Sequence, residues 1–144
     1  MDKRNNNYYP DPTAAKALAN IAKAEKALHS CRPLIYVASP FAGDIERNAE
    51  RARGYCRFVI SRGGIPFAPH LLFPQFLDES DRQQRELGLF FALKLLAKCD
   101  ELWAFGERIS DGMSREIAKA QKRGLPIRYF SSRCEEVMAN GRSR

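Results

Sequence analysis

The chain has 144 residues, a formal net charge of +7 and a hydrophobic content of 44%, enough apolar material for one core of ordinary size. No uncharged apolar run reaches roughly 18 residues, and the opening Met-Asp-Lys-Arg-Asn-Asn-Asn is polar. Neither a membrane span nor a signal peptide is therefore expected, and the expected location is cytoplasmic.

The four cysteines, Cys31, Cys56, Cys99 and Cys134, are widely spaced, and only His29 and His70 are available to complete a metal set. Three lie in apolar stretches, so buried reduced thiols are expected and no metal is. Positive charge concentrates in Arg47, Arg51, Arg53, Arg57 and Arg62. A basic balance attracts anionic partners, yet most of these arginines fall opposite the apolar stripe of a predicted helix, with no aromatic platforms beside them. A solvated helix face is expected, and a nucleic-acid partner is not.

In chain order, a polar opening segment leads to Asp11-Pro12-Thr13, a helix start in which Asp caps free amides and Pro loses no hydrogen bond. Ala14, Leu18, Ile21 and Leu28 follow at helical spacing. Pro33 ends that helix, and Leu34 to Ala38 is a continuous run of β-formers, the pattern of a strand covered on both faces. A turn from Ser39 to Asp44 opens a second helix whose inner face is Ile45, Ala49, Ala52, Cys56 and Val59, ending at Gly63-Gly64.

Ile65 to Ala68 reads as a second strand. The segment from His70 to Glu79 reads as an apolar loop lying over the domain as a lid. Ser80 and Gln83 fit a capping box, opening a helix to about Lys98 that is apolar nearly all round and expected to be largely buried. Glu101 to Phe105 is a third strand with Trp103 in the core. A helix with Met113, Ile117 and Ala120 inside runs to Gly124, and Pro126 to Phe130 is the fourth strand. Ser132 and Glu135 suggest one further helical turn. Strands alternating with helices of this length imply βαβ units and a parallel sheet, with ligands at the carboxyl ends of the strands.

Three segments fall at those ends. In Ser110-Asp111-Gly112-Met113-Ser114-Arg115-Glu116, Gly112 shares a helix face with Glu116 and has no side chain to cover the carboxylate. Helix-start amides favour an anion there by about 0.3–1 kcal/mol, so Glu116 is expected to be ionised, as a nucleophile or a sugar ligand; the alternative is a surface carboxylate complementing the helix dipole. The Ser39–Asp44 turn suits a phosphate or ribose, or is a plain strand-to-helix turn; it carries neither a G-x-G-x-x-G nor a P-loop pattern. His70 is either a base, phosphate or proton-transfer residue or a structural hydrogen-bonder.

The stretches I-Y-V-A-S-P-F, G-x-P-x-A-P-H, C-D-E-L-W-A-F-G, S-D-G-M-S-R-E-I-A-K-A and G-L-P-I, spread over about residues 34 to 130, resemble the nucleoside 2-deoxyribosyltransferase superfamily, and an uncharacterised branch of it more closely. The resemblance implies an α/β fold, a flavodoxin-like or Rossmann-like three-layer sandwich with a mainly parallel sheet, in a single domain over residues 33–144; the polar arm and amphipathic helix over residues 1–32 lie outside it. It implies Glu116 as the nucleophile at the anomeric carbon of a deoxynucleoside or its 5′-monophosphate, with Tyr36 beside it. It also implies Ser110 at a phosphate-holding position, which favours a nucleotide. The family's further acid falls at Ala92, leaving Glu86, Asp111 or His70 as substitutes.

The expected site is thus Glu116, Tyr36 and Asp111 for catalysis, with Ser39, Phe41, Gly43, His70, Phe73, Ser110, Gly112 and Met113 for binding. The expected partners are a small nucleoside or nucleotide and further copies of the chain, as a dimer or larger, with no cofactor and no membrane. Water as acceptor would make a hydrolase and a second base a transferase. The reading from another class is a non-catalytic module that binds or senses a nucleotide-derived ligand.

Overall fold

Apolar runs bounded by Pro and Gly become short buried strands, and the amphipathic stretches between them become helices laid on either face. In the computed structural model, which describes residues 12–138 apart from the side chains of 27–30, the chain divides after Arg32. The first unit is a helix, α1 (Pro12–Ser30), beginning on the proline that needs no N–H partner. The opening segment, the Asp11 cap and the Leu28 side chain lie outside the described residues.

The second unit runs β1 (Leu34–Ala38), α2 (Ile45–Ser61), β2 (Ile65–Phe67), α3 (Pro69–Leu72), a 3₁₀ turn (Phe73–Gln75), α4 (Arg82–Leu96), β3 (Glu101–Phe105), α5 (Asp111–Lys122), β4 (Ile127–Phe130) and β5 (Glu136–Val137). The strands form one sheet in the order β2-β1-β3-β4-β5. Four are parallel, with Tyr36 beside Leu102 and Leu102 beside Ile127, and β5 pairs antiparallel with β4.

Because side chains alternate along a strand, the sheet has two cores. Tyr36, Ala38, Leu102 and Ala104 face one way, with Ala92 and Leu96 of α4 and Met113 and Ala120 of α5. Ile35, Val37, Trp103 and Phe105 face the other, with Tyr55 and Val59 of α2 and Phe130 of β4. At the end of α2 the chain passes so close to the sheet that a Cβ on Gly64 would lie 2.9 Å from both Ile35 Cγ1 and Val59 Cγ1. Only glycine fits there without a shift.

Several elements depart from the sequence expectations. The apolar segment after β2 is no bare loop: it folds as α3 and the 3₁₀ turn, and Ala68 flanks α3 instead of closing the strand. Pro69 at the helix start and burial of Phe73 favour these short turns. The cap of α4 is Asp81, accepting from the Gln83 amide, while Ser80 donates to Asp78.

Only Gly88, Ala92 and Leu96 of α4 are buried; Leu87, Phe90 and Leu95 are exposed, because the sheet covers just one side of the helix. In α2, Tyr55 takes an inner position and Ile45 is exposed. The tail forms β5 instead of a helical turn, held by Arg128, whose guanidinium makes two hydrogen bonds to Glu136 at 2.9 and 2.8 Å. All four cysteines are unbridged, but only Cys99 is buried; Cys56 and Cys134 are half-buried and Cys31 is exposed.

Trp103 is in the core, its indole N–H donating to Glu101 at 2.8 Å. The five arginines at 47, 51, 53, 57 and 62 are all exposed. Among the described residues no helix is long and apolar enough to cross a membrane.

Candidate active site

The strand order reverses direction between β1 and β3, so the loops after these two strands part and leave a crevice at their carboxyl ends. On one side of that crevice is a cavity of about 480 Å³, within the range of small-molecule sites. Its floor is Pro40 to Ala42 after β1 and Pro69, His70 and Phe73 after β2. One wall is α4, with Gly88, Leu89 and Ala92, and the other is the start of α5, with Ser110, Gly112 and Glu116. Gly106, at φ +111°, turns the chain away from β3; a Cβ there would come within 3.5 Å of Pro40.

The alternation along β1 turns Tyr36 toward α5, and its hydroxyl donates to Glu116 Oε2. Glu116 is 2% exposed, and its other oxygen, Oε1, has no hydrogen-bond partner among the described residues. A buried polar atom left unpaired is uncommon and marks a place where function competes with stability.

Burial pushes the Glu116 carboxyl up from 4.5 to about 7, the Tyr36 hydrogen bond working in the opposite direction. A rise of that size is worth roughly 3 kcal/mol, several times what helix-start amides supply. The expectation of a fully ionised carboxylate at neutral pH is therefore corrected. So is the alternative of a surface carboxylate. Tyr36 stays protonated, its pKa raised by its own burial and by the neighbouring carboxylate.

The other residues named from sequence fall into two groups. Phe41, His70, Phe73, Ser110, Asp111 and Gly112 line the cavity with Glu116. Ser39 and Met113 do not: both are buried, and Met113 packs in the core under α5. Gly43 is exposed in the turn before α2, at φ +97°, also off the cavity.

Ser110 caps α5, its Oγ accepting from the Met113 amide at 3.2 Å, and the hydroxyl hydrogen remains for another acceptor. His70 stacks on Phe41 with ring centroids 4.7 Å apart. Burial lowers its pKa to about 4, partly offset by a hydrogen bond to the backbone of Ser39, so it is neutral at pH 7. Asp111 pairs with Arg115 at 3.7 Å and is 90% exposed. Glu86 pairs with Arg115 at 3.1 Å, which holds its carboxyl below the usual range.

Sequence reasoning missed Glu79, Arg85, Arg108 and Arg115, all of which line the cavity. Their polar positions carry no periodic signal. The only available cue was adjacency, Arg115 preceding Glu116 and Arg108 preceding the α5 cap.

The Tyr36–Glu116 contact gives a direct test. A hydrogen bond to a charged group is worth about 1.5–3 kcal/mol, so Tyr36→Phe should raise the Glu116 midpoint by about one to two units. Carboxyl titration followed by ¹³C NMR checks this, and a midpoint unchanged or lowered would contradict the contact.

A parallel sheet in flavodoxin-like strand order with an antiparallel last strand, bearing a ligand-sized cavity at its switch point, defines a Rossmann-like α/β domain. The chain belongs to the family defined as Domain of unknown function (DUF7768), whose model matches residues 33–130. No curated protein matches it significantly.

Among solved structures it is similar to a 2-deoxyribosyltransferase from the psychrotolerant bacterium Bacillus psychrosaccharolyticus. The two share 22% identity over 68% of this chain and 72% of that one, with a TM-score of 0.53. It is also similar to a conserved protein from Enterococcus faecalis V583, at 21% identity over 69% of this chain and 64% of that one, with a TM-score of 0.45. The first of these likenesses shows a shared fold.

Proposed function

We propose that the protein cleaves N-glycosidic bonds of deoxynucleosides or their 5′-monophosphates, with Glu116 as nucleophile. The observation that carries this is the buried Glu116 carboxyl at the cavity wall, one oxygen held by Tyr36 and the other unpaired. The ionised carboxylate attacks the anomeric carbon, the carbon–nitrogen bond breaks, and its electron pair leaves with the base. Water or a second base then displaces the glutamate from the same carbon. Tyr36 keeps the carboxylate oriented and supports its charge.

Arg115 is taken up by Glu86 and Asp111, but Arg108 lines the cavity with no carboxylate paired to it among the described residues, and Ser110 retains a free hydroxyl hydrogen. This favours a substrate bearing a 5′-phosphate. The same proposal includes a homo-oligomer, dimer or larger, whose contact would cover apolar side chains such as Phe76 and Phe90, 63% and 61% exposed.

A second reading, a non-catalytic module for a nucleotide-derived ligand, is favoured by Ala92. Its methyl group lines the α4 wall where the family resemblance puts an acid.

Incubation with a panel of deoxynucleosides and monophosphates, followed by chromatography for free base, separates the two. Release of base, faster from monophosphates, supports the enzyme. Saturable nucleotide binding with no release from any substrate would replace it with the binding module.

A further inference from the structure

A base leaving a sugar carries off the bonding electron pair and departs slowly unless a nitrogen of the ring is protonated as the bond breaks. The cavity therefore needs an acid besides Glu116. Three of the acidic or imidazole groups that line it are poorly suited. Glu86 and Asp111 both pair with Arg115, at 3.1 and 3.7 Å, which favours their ionised forms. His70 is half-buried, stacked on Phe41 and held as the neutral imidazole.

Glu79 differs. It lies between the 3₁₀ turn and α4, half-buried, and lines the cavity on the α4 side. Its carboxylate has no hydrogen-bond or ion-pair partner among the described residues. Helix α4 passes beside it: a Cβ on Gly88 would stand at ordinary contact distance, 3.8 Å, from Glu79 Oε2 and tightly, at 3.3 Å, against Leu77 Cδ1. A glycine inside a helix costs about 1 kcal/mol relative to alanine, and this one lines the cavity next to the Glu79 carboxylate. Burial raises the Glu79 pKa and Asp78 adds to the rise, while Arg85 opposes it.

We propose that Glu79 is the proton donor to the departing base, a role that rests on the glycosidic reading above. As Glu116 bonds to the anomeric carbon and the carbon–nitrogen bond breaks, the Glu79 carboxyl proton passes to a ring nitrogen and the base leaves neutral. When water attacks the glycosyl ester, the Glu79 carboxylate takes the water's proton. Glu116 is released as a carboxylate, and both groups return to their starting forms.

The test compares Glu79→Gln with wild type on two substrates: the best-cleaved monophosphate of the panel, and 7-methyl-2′-deoxyguanosine 5′-monophosphate. The cationic base of the second departs as a neutral molecule without receiving a proton. With spontaneous loss subtracted, kcat/KM should fall by about 10²–10⁴-fold on the first substrate and by less than about tenfold on the second. Retained activity on the cationic substrate also reports a folded protein. The falling limb of the wild-type pH profile should vanish in the variant.

Equal losses on both substrates, or no loss on either, would overturn the assignment of Glu79 and leave Glu116 standing. Failure of the wild type to release base from any substrate would overturn the glycosidic reading, and Glu79 with it.

Discussion

Glu116→Gln should abolish base release and, at the same time, stabilise the fold above neutral pH. Loss of a nucleophile lowers kcat by roughly 10⁴-fold or more, and the amide keeps the shape and an oxygen for the Tyr36 hydroxyl. The stability effect follows from the titration. The carboxyl binds its proton more tightly folded, with a pKa of about 7, than unfolded, near the usual 4.5. Below about pH 4.5 both states are protonated and the penalty is absent. It grows as pH rises from there and is complete above about 7, at roughly 3 kcal/mol. The variant should thus melt on the order of 10 °C higher than wild type at pH 8 and close to wild type at pH 4.5. Scanning calorimetry at both values checks it; a variant no more stable at pH 8 would mean the carboxylate is not desolvated.

Phe105→Ala carries the largest expected loss of stability. The ring is fully buried at the end of β3, stacked on Tyr55 at 4.4 Å and on Phe130 at 5.1 Å. Truncating it removes the ring contacts that tie Tyr55 of α2 to the end of β3, just before the chain turns at Gly106. The cost of a buried phenylalanine deletion is about 3–5 kcal/mol, which lowers the urea midpoint by roughly 2 M. A loss under about 1 kcal/mol would show that the α2-side core repacks around the gap.

Much of the architecture was legible because strands covered on both faces read as uninterrupted apolar runs. Leu34–Ala38 and residues 102–105 are such runs, and the helices between them follow from spacing and caps. The location of Glu116 near the start of the helix that follows β3, four residues after Gly112, was legible for the same reason. Its burial was not. That depends on Tyr36 facing α5 and not α2, a consequence of which helix each crossover lays on which face.

The short elements β5, α3 and the 3₁₀ turn escaped because what they pair with or pack against, not their own propensities, stabilises them. β5 exists through β4 and the Arg128–Glu136 pair, and α3 through the burial of its own first residue, Pro69. Helix α4 misled in the opposite sense, since an apolar residue such as Phe90 reads the same whether or not anything covers it. Glu79 was invisible because a polar residue before a helix cap usually belongs to solvent; only the fold of the preceding turns brings it to the cavity.

The covalent bond from Glu116 to the sugar is the step on which the proposed function depends. It is tested most directly by incubating wild-type protein with a 2-deoxy-2-fluoronucleoside 5′-monophosphate, whose fluorine slows breakdown of the glycosyl ester, and mapping the product by mass spectrometry. The fluorosugar phosphate should be found on the peptide containing Glu116 and should disappear when a good acceptor is added. Base release with no adduct, or with the adduct on a different residue, would contradict it.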